Sequence, residues 1–324
     1  MKKIFIFVLI SIFLISMPVS ALVSDWNVLK TDNFEVFYPD TYYHYAEETL
    51  YYLEKYREEM IQLTGNDDDF KTRVVIEDEG LLSNGYAMIN DRKIGLYTNT
   101  PSSYFPLSSN ESWLASTAIH EFVHIAQFQN TSGLPGVIRT LGGNYYSPNT
   151  RVPLWLAEGI AVYGESLPSD YDGRLNDGYY HALVRDKIEH DNLADLLDVP
   201  YRWEDDDYFY GALLLDYLAK EYGEESLGEY FADYGANEFN LLSLYPLVGE
   251  GLLSLFPRIS FDRSAREIYG KSFNDLFSEW KEYEIANHIP LEETGEVIID
   301  GTIDDKEDKI IDFIIKDDKI YYII

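Results

Sequence analysis

A pair of histidines inside an apolar segment constrains this chain more than any other feature. HEFVH at 120–124 lies within residues 113–129, where apolar side chains recur at helical spacing. On an α-helix, residues i and i+4 lie about 40° apart around the axis and one turn apart along it. Both imidazoles would therefore face one metal ion, and Glu121 would lie beside the ion as a base. The alternative is an amphipathic helix whose histidines are merely polar.

A second segment offers a third ligand. PLWLAEGIAVYGE at 153–165 has helical character and begins with a proline, which is favoured in a first turn. Glu158 lies in its apolar middle, 34 residues after His124. Acids are rarely buried without a partner, and a metal would be such a partner, although a partly exposed helix acid is the alternative. His120, His124 and Glu158 would leave one position open for water, as catalytic zinc sites do.

The composition excludes several other kinds of chemistry. The 324 residues include no cysteine, so a disulfide scaffold, a thiolate zinc site and a cysteine nucleophile are excluded. A net charge of −32 argues against nucleic acid as a partner, because phosphate binding depends on cationic side chains. The apolar share of 46% is too high for a disordered chain and is sufficient for a large core.

The first 21 residues have the pattern of an export signal. Two lysines precede an apolar run at 4–17, and Val19-Ser20-Ala21 supplies small residues at the cleavage positions. This predicts a secretory signal peptide at 1–21 that is cleaved after Ala21. A membrane span needs about 20 apolar residues, so an uncleaved signal anchor is only the alternative. We expect an exported protein that is extracellular or at the cell surface.

The remaining chain predicts strands first and helices afterwards. Residues 22–105 should form a β-α-β-β unit, whose predicted elements are a strand at 34–38, a helix capped by Asp40 or Thr41 and ending near Leu63, a strand at 73–76 and a hairpin at 86–97. Residues 106–290 should be helical, with a capping box of Ser108 and Glu111 before the histidine helix and further helices at about 179–197, 208–222 and 262–286. This order predicts an α+β fold.

The composition changes after residue 290. Residues 292–308 are acidic, and KIIDFIIKDDKIYYII predicts two strands around Asp317 and Asp318. A lone hairpin is marginal in water, so we expect 291–324 to be a linker and the start of a truncated β-rich domain.

HEFVH followed by WLAEG resembles the gluzincins, which include thermolysin and the aminopeptidase N group. It is most similar to the exported peptidase-MA-like proteins, whose domain often precedes a TolB-like β-propeller. The resemblance covers about residues 25–290 and implies a thermolysin-like zincin domain with an N-terminal mixed sheet, active-site helices and a helical C-terminal lobe, followed here by the start of a propeller. It implies one Zn²⁺ per chain held by His120, His124 and Glu158, Glu121 as general base and proton shuttle, and a peptide or protein substrate.

Two further segments bear on the reaction. YFYGALLLDYL at 208–218 is similar to the aminopeptidase segment in which a tyrosine begins a helix three residues before a glycine, which would make Tyr208 the oxyanion donor. Tyr210 and simple packing are the alternatives. YAMIN at 86–90 has Ile89 where those aminopeptidases carry the glutamate that holds the substrate's α-amine. Isoleucine cannot pair with an ammonium group, which favours an endopeptidase over an aminopeptidase. The hairpin would offer an edge strand to an extended substrate.

Other roles stay open. Glu165 either orients a zinc-bound imidazole or is solvated, and the solvated state is favoured. His181 and His190 are expected on the surface, with a place near the cleft as the alternative, whereas Trp155, Tyr163 and Trp280 are expected in the core. Instead of an enzyme, the chain could be a surface binding module whose missing β domain recruits partners, or a structural zinc domain with a fourth protein ligand.

Overall fold

The computed structural model describes residues 26–101, 112–144, 146–196, 199, 206–237 and 258–289, together with four short strands between 302 and 323. The strands of the first sheet are β1 (Trp26–Lys30), β2 (Phe34–Pro39), β3 (Thr72–Glu77), β4 (Gly85–Met88) and β5 (Lys93–Tyr97). The helices are α1 (Tyr43–Leu63), α2 (Trp113–Gln129), α3 (Gly133–Gly142), α4 (Leu154–Ser166), α5 (Gly178–Glu189), α6 (Asp206–Tyr222), α7 (Glu225–Ala236), α8 (Arg258–Ile268) and α9 (Phe273–Asn287). The signal-peptide prediction lies outside the described residues, and none of the described helices has the length and apolar character of a membrane span.

The five strands form one mixed sheet in the order β1-β2-β3-β5-β4. β2, β3 and β5 run parallel to one another, whereas β1 is antiparallel to β2. α1 provides the crossover that a parallel pair needs between β2 and β3. β4 returns antiparallel to β5 and forms one edge of the sheet. The predicted hairpin is therefore confirmed, and so is its edge position.

The sheet packs on the histidine helix. Side chains alternate between buried and half-buried along β2, as expected for a strand with one face in the core. From that face Phe34 meets Phe122 of α2 in an edge-to-face contact with ring centroids 5.2 Å apart. β4 and β5 also contact α2, so the edge strand lies beside the helix that carries HEFVH.

Glycines allow α4, the helix that carries Glu158, to pack closely between α2 and α6. A Cβ on Gly164 of α4 would lie 2.6 Å from Val123 Cγ2 on α2. Nearer the start of α4, a Cβ on Gly159 would lie 2.5 Å from the carbonyl carbon of Gly211 on α6. A Cβ on Gly211 would in turn lie 1.8 Å from the carbonyl oxygen of Trp155 on α4. Because these distances leave no room for a side chain, the backbones of α4 and α6 touch at Gly159 and Gly211, and the Val123 side chain of α2 packs directly on Gly164.

The mixed α/β architecture is confirmed, but several predicted boundaries were wrong. The helix predicted at 262–286 is two helices, because Gly270 has φ +73° and Ser272 caps α9 in a capping box with Asp275. The helix predicted at 179–197 ends at Glu189. α3 and α7 were not predicted, since each contains two or more glycines, which are typical of loops.

The helix caps differ from prediction as well. A 3₁₀ turn at Asp40–Tyr42 precedes α1, and no side chain caps α1. Ser108 and Glu111 lie outside the described residues; Ser112 caps α2 by accepting a hydrogen bond from the Ala115 N–H. The stop after Leu63 is confirmed, with Gly65 at φ +62°.

The C-terminal strands pair locally. β6 (Thr302–Ile303) pairs with β7 (Lys306–Glu307), and β8 (Asp312–Lys316) pairs with β9 (Lys319–Ile323), both antiparallel. The hairpin predicted around residues 317–318 is confirmed, while a propeller stays a prediction.

Candidate metal centre

Helices α2 and α4 bring two imidazoles and one carboxylate together. His120 and His124 stand one turn apart on α2, with ring centroids 4.8 Å apart and planes at 87°. Glu158 Oε2 on α4 lies 3.4 Å from His120 Nε2 and 3.3 Å from His124 Nε2. One nitrogen or oxygen from each of the three side chains lies within 4.8 Å of the others. The structure thus brings together all three residues that the sequence selected as ligands.

The spacing and chemistry of these atoms fit a zinc ion. Zinc holds nitrogen and oxygen ligands at about 2.0–2.2 Å, and a tetrahedral arrangement then places the ligand atoms about 3.3–3.6 Å apart. Both carboxylate-to-imidazole distances agree with this spacing. Among the described residues, Glu158 Oε2 is buried without a hydrogen-bond partner. A buried carboxylate oxygen without a donor is unfavourable, and a cation between it and the two nitrogens would stabilise it.

The electrostatics of the centre favour a cation at the same point. Burial by itself would raise the pKa of Glu158, but the neighbouring charges of His124 and His120 hold it well below its usual range. Burial opposes protonation of His120, yet its contacts with Glu158 and Glu165 raise the pKa of that imidazole to about 9. Carboxylates on both sides of one imidazole therefore attract positive charge, either a proton or a metal ion in its place.

Glu121 lies beside the three ligands and is itself buried, with 7% of its surface exposed. Burial raises the pKa of its carboxyl, and the two histidines only partly offset this effect. A carboxyl group with a raised pKa is suited to take and return a proton near neutral pH.

The edge strand approaches Glu121 closely at Gly85. A Cβ on Gly85 would lie 2.4 Å from Thr117 Cγ2 and 3.1 Å from Glu121 Cγ. The missing side chain thus allows β4 to pass directly over the α2 turn that carries Glu121. Gly85 was not selected from the sequence; its place at the start of a predicted hairpin was the available signal.

The preferred interpretation of Glu165 as a solvated acid was wrong. Glu165 is 2% exposed, and its Oε2 lies 2.8 Å from His120 Nδ1, on the far side of the ring from the ligand nitrogen. Seven residues are about two helical turns, so Glu165 lies on the same face of α4 as Glu158 and also meets α2. Glu165 therefore orients the imidazole of His120, which was the less favoured alternative.

Arg174 is a further residue of the centre that the sequence did not reveal. It follows α4 in a loop, and its guanidinium donates to both carboxylate oxygens of Glu165, from Nε to Oε1 at 2.7 Å and from Nη2 to Oε2 at 2.8 Å. Burial would raise the pKa of Glu165, but the charge of Arg174 lowers it to about 2. DGR at 172–174 resembles an ordinary turn, so no spacing pointed to this pairing.

Tyr208 lies at the centre, whereas Tyr210 does not. The ring of Tyr208 is stacked on His120, with centroids 6.2 Å apart and planes at 20°. Burial, followed by the negative charge of Glu158, raises the pKa of the Tyr208 phenol, which keeps its hydroxyl a hydrogen donor. Tyr210 is fully buried in the core, and its hydroxyl accepts a hydrogen bond from the Ala194 N–H at 2.9 Å.

The remaining candidates lie elsewhere. His190 is exposed beside Asp186, and His181 Nε2 lies 3.2 Å from the carbonyl oxygen of Leu175. The residues expected in the core are buried there, namely Trp155, Tyr163 and Trp280.

No protein-family model matches the sequence, and the comparison with curated proteins finds no match. Among solved structures, the chain is similar to native yeast LTA4 hydrolase at 14% identity and a TM-score of 0.37, covering 76% of this chain and 39% of that one. It is also similar to a mutant two-domain M1 zinc metallopeptidase bound to L-arginine, at 13% identity and a TM-score of 0.40, covering 79% of this chain and 51% of that one. The chain spans about two fifths to half of these neighbours, and a likeness this distant does not decide function.

Proposed function

We propose that this chain is an exported zinc-dependent peptidase that hydrolyses internal peptide bonds. The observation that supports this most is the convergence of His120 Nε2 and His124 Nε2 on Glu158 Oε2. Both distances have zinc-like spacing, and the oxygen has no hydrogen-bond partner among the described residues. Glu121 adds a buried carboxyl with a raised pKa beside them. Three protein ligands with a base alongside are the arrangement of catalytic rather than structural zinc.

The roles of the side chains follow from their positions. When bound, one zinc ion would lower the pKa of a water molecule to about 7 and polarise the carbonyl of the substrate. Glu121 takes a proton from the attacking water and returns it to the leaving amine. The protonated hydroxyl of Tyr208 donates to the carbonyl oxygen as negative charge develops there. Glu165 accepts the Nδ1 hydrogen of His120, which directs Nε2 towards Glu158.

Ile89 and the edge strand support internal cleavage. β4 leaves one edge of the sheet beside Glu121, where an extended chain can add by backbone hydrogen bonds. Ile89 directly follows β4, and its carbonyl oxygen accepts a hydrogen bond from Gln129 Nε2, which ties this end of the strand to α2. An apolar side chain at this place offers no charge to a free α-amine. Aminopeptidase activity is the alternative.

The proposal extends to partners and location. The substrate is a peptide or protein, and nucleic acid is not a partner of so acidic a chain. The signal at 1–21 exports the protein to the cell surface or beyond, and membrane attachment would occur only through an uncleaved signal. The C-terminal β region would recruit partners. A non-catalytic binding module is the second candidate, but it gives no reason for a buried carboxyl at Glu121.

A peptide-library digest followed by mass spectrometry tests the proposal. The full chain is compared with its Glu121→Gln variant, which differs by one proton-accepting group. Internal cuts by the wild type alone would support a zinc endopeptidase. Stepwise N-terminal loss would establish the aminopeptidase instead, and no cleavage by either protein would favour the binding module.

A further inference from the structure

We propose that Arg174 is a positioning residue of the metal centre, which fixes the carboxylate of Glu165 and the ring of Tyr208 so that His120 and the Tyr208 hydroxyl point correctly. This inference rests on the proposed zinc site. It assigns a role to a loop residue that follows the two ligand helices.

Three hydrogen bonds join Arg174 to Glu165. The guanidinium forms a two-point fork with the carboxylate at 2.7 and 2.8 Å, and the Arg174 backbone N–H donates to Oε1 as well, at 3.1 Å. A bidentate arginine fixes both the position and the plane of a carboxylate, which a single hydrogen bond does not. Glu165 is thereby held by a residue outside its own helix.

Two donors converge on Glu165 Oε2. Arg174 Nη2 and His120 Nδ1 each lie 2.8 Å from that oxygen, and they lie 3.0 Å from each other. A metal on Nε2 requires the imidazole hydrogen on Nδ1, where it is donated to Glu165. The fork therefore sets the direction in which the ring of His120 faces.

Arg174 also contacts Tyr208. The guanidinium carbon of Arg174 lies 4.9 Å from the centroid of the Tyr208 ring, within the range of a cation–π contact. The same ring is stacked on His120. One side chain thus contacts both a neighbour of the metal ligand and the tyrosine that would donate to the oxyanion.

The local sequence explains how the loop reaches this place. Gly173 has φ +85°, and a Cβ there would lie 2.4 Å from Ser166 Oγ, so the chain can fold back against the end of α4 only with glycine. The Leu175 N–H then donates to Ser166 Oγ at 3.2 Å. Arg174 is held between these two contacts, with its backbone and side chain both directed at Glu165.

Zinc affinity provides a test that does not need substrate. Zn²⁺ is titrated against a chromophoric chelator with the full chain and with R174K, R174Q, E165Q and the double variant R174K/E165Q. R174K keeps the charge but not the fork, and R174Q loses both. R73K is the matched control, because Arg73 is 60% exposed and lies 3.9 Å from Glu35 at the surface. Thermal unfolding without zinc checks that each variant folds.

We expect R174K, R174Q and E165Q each to bind Zn²⁺ about 10–100-fold more weakly, as loss of a partner behind a ligand usually does. The double variant should bind no more than about twofold more weakly than E165Q alone, because Arg174 acts through Glu165. R73K should match the wild type.

A wild-type zinc affinity in folded R174K, or a double variant whose loss is the product of the two single losses, would overturn the inference. A double-mutant cycle of R174K with Y208F examines the contact with Tyr208. In the wild-type background, R174K should lower kcat with KM unchanged. In the Y208F background, R174K should have little further effect on kcat. Independent losses there would refute the contact with Tyr208 as a positioning contact.

These outcomes are separable from those of the proposed function. A wild type that binds Zn²⁺ without cleaving peptides would contradict only the peptidase, and the affinity cycle would still decide the role of Arg174. A wild type that binds no Zn²⁺ would contradict both.

Discussion

The sheet and the metal centre are both buried, but the sheet buries apolar side chains and the centre buries ionisable ones. The inner face of the sheet is apolar, and Phe34, Val36, Val74 and Ile76 are completely enclosed. Between α2 and α4 the chain instead encloses imidazoles and carboxylates. Apolar burial contributes about 25 cal/mol per Å² to folding, whereas each buried ion is unfavourable by several kcal/mol unless it is paired. The sheet is explained by folding alone, and the centre is not.

Within the metal centre, some buried polar groups have hydrogen-bond partners and others do not. Glu165 is fully partnered by Arg174 and His120. Glu158 Oε2 and His124 Nδ1 have no hydrogen-bond partner among the described residues. Glu165, which holds the ring of His120, is therefore satisfied by the protein, whereas the carboxylate oxygen that would meet the ion and the Nδ1 of His124 are not.

The largest expected effect is on catalysis. Glu121→Gln should lower kcat by about 10²–10⁴-fold, because the amide cannot accept a proton. Zinc affinity should be unchanged, and the zinc-free protein should be at least as stable, since burial already disfavours the charged carboxyl. Steady-state kinetics, zinc titration and thermal unfolding measure the three quantities. Unchanged turnover would contradict the role of Glu121.

A substitution in the sheet should lower stability and leave catalysis unchanged. Ile76→Ala removes a fully buried side chain from the central strand β3 and should lower the free energy of unfolding by about 2–5 kcal/mol. Because Ile76 lies on β3, which carries neither Glu121 nor any of the proposed zinc ligands, zinc affinity and kcat of the folded fraction should be unchanged. Denaturant unfolding measures the first quantity. A weakened zinc affinity would mean that the two regions are coupled.

Two tyrosines on α6 sharpen the contrast between site and core. Tyr208→Phe should lower kcat by about 10²–10³-fold, the usual effect of losing one oxyanion donor. Tyr210→Phe loses the hydrogen bond to the Ala194 N–H and should instead lower stability by about 1 kcal/mol with kcat unchanged. Steady-state kinetics and denaturant unfolding of both variants measure these effects. Equal kcat values in the two variants would contradict the role of Tyr208 in the mechanism.

Only a modest effect on kcat is expected where sheet and centre meet. Gly85→Ala forces β4 away from α2 and should be destabilising by about 1–3 kcal/mol, with a modest fall in kcat as Glu121 is displaced. Gly178→Ala is the control, because a Cβ there meets nothing within 4 Å. Similar behaviour of the two variants would show that the close approach at Gly85 has no consequence.

Local periodicity explains which parts were predictable. The alternating pattern of β2 and β3 and the i,i+4 spacing of His120 and His124 are properties of single elements, so the sequence reveals them. Glu158 was found because it is a charge in an apolar helix. α3 and α7 were missed because glycine-rich helices form only when tertiary packing stabilises them.

The supporting residues of the centre depend on contacts between elements. Glu165 reaches His120 because α4 packs closely on α2, where Gly164 leaves room for the side chain of Val123. Arg174 reaches Glu165 through a chain reversal at Gly173. Neither contact has a characteristic spacing in the sequence.

A zinc titration of the wild type and His124→Ala tests the central claim most directly. His190→Ala is the matched control, since the side chain of His190 is 70% exposed on α5's C-terminal side. The account predicts one zinc per chain in the wild type and the control, and loss of zinc in His124→Ala. Full zinc occupancy in His124→Ala would contradict the ligand set, and with it the proposed enzyme.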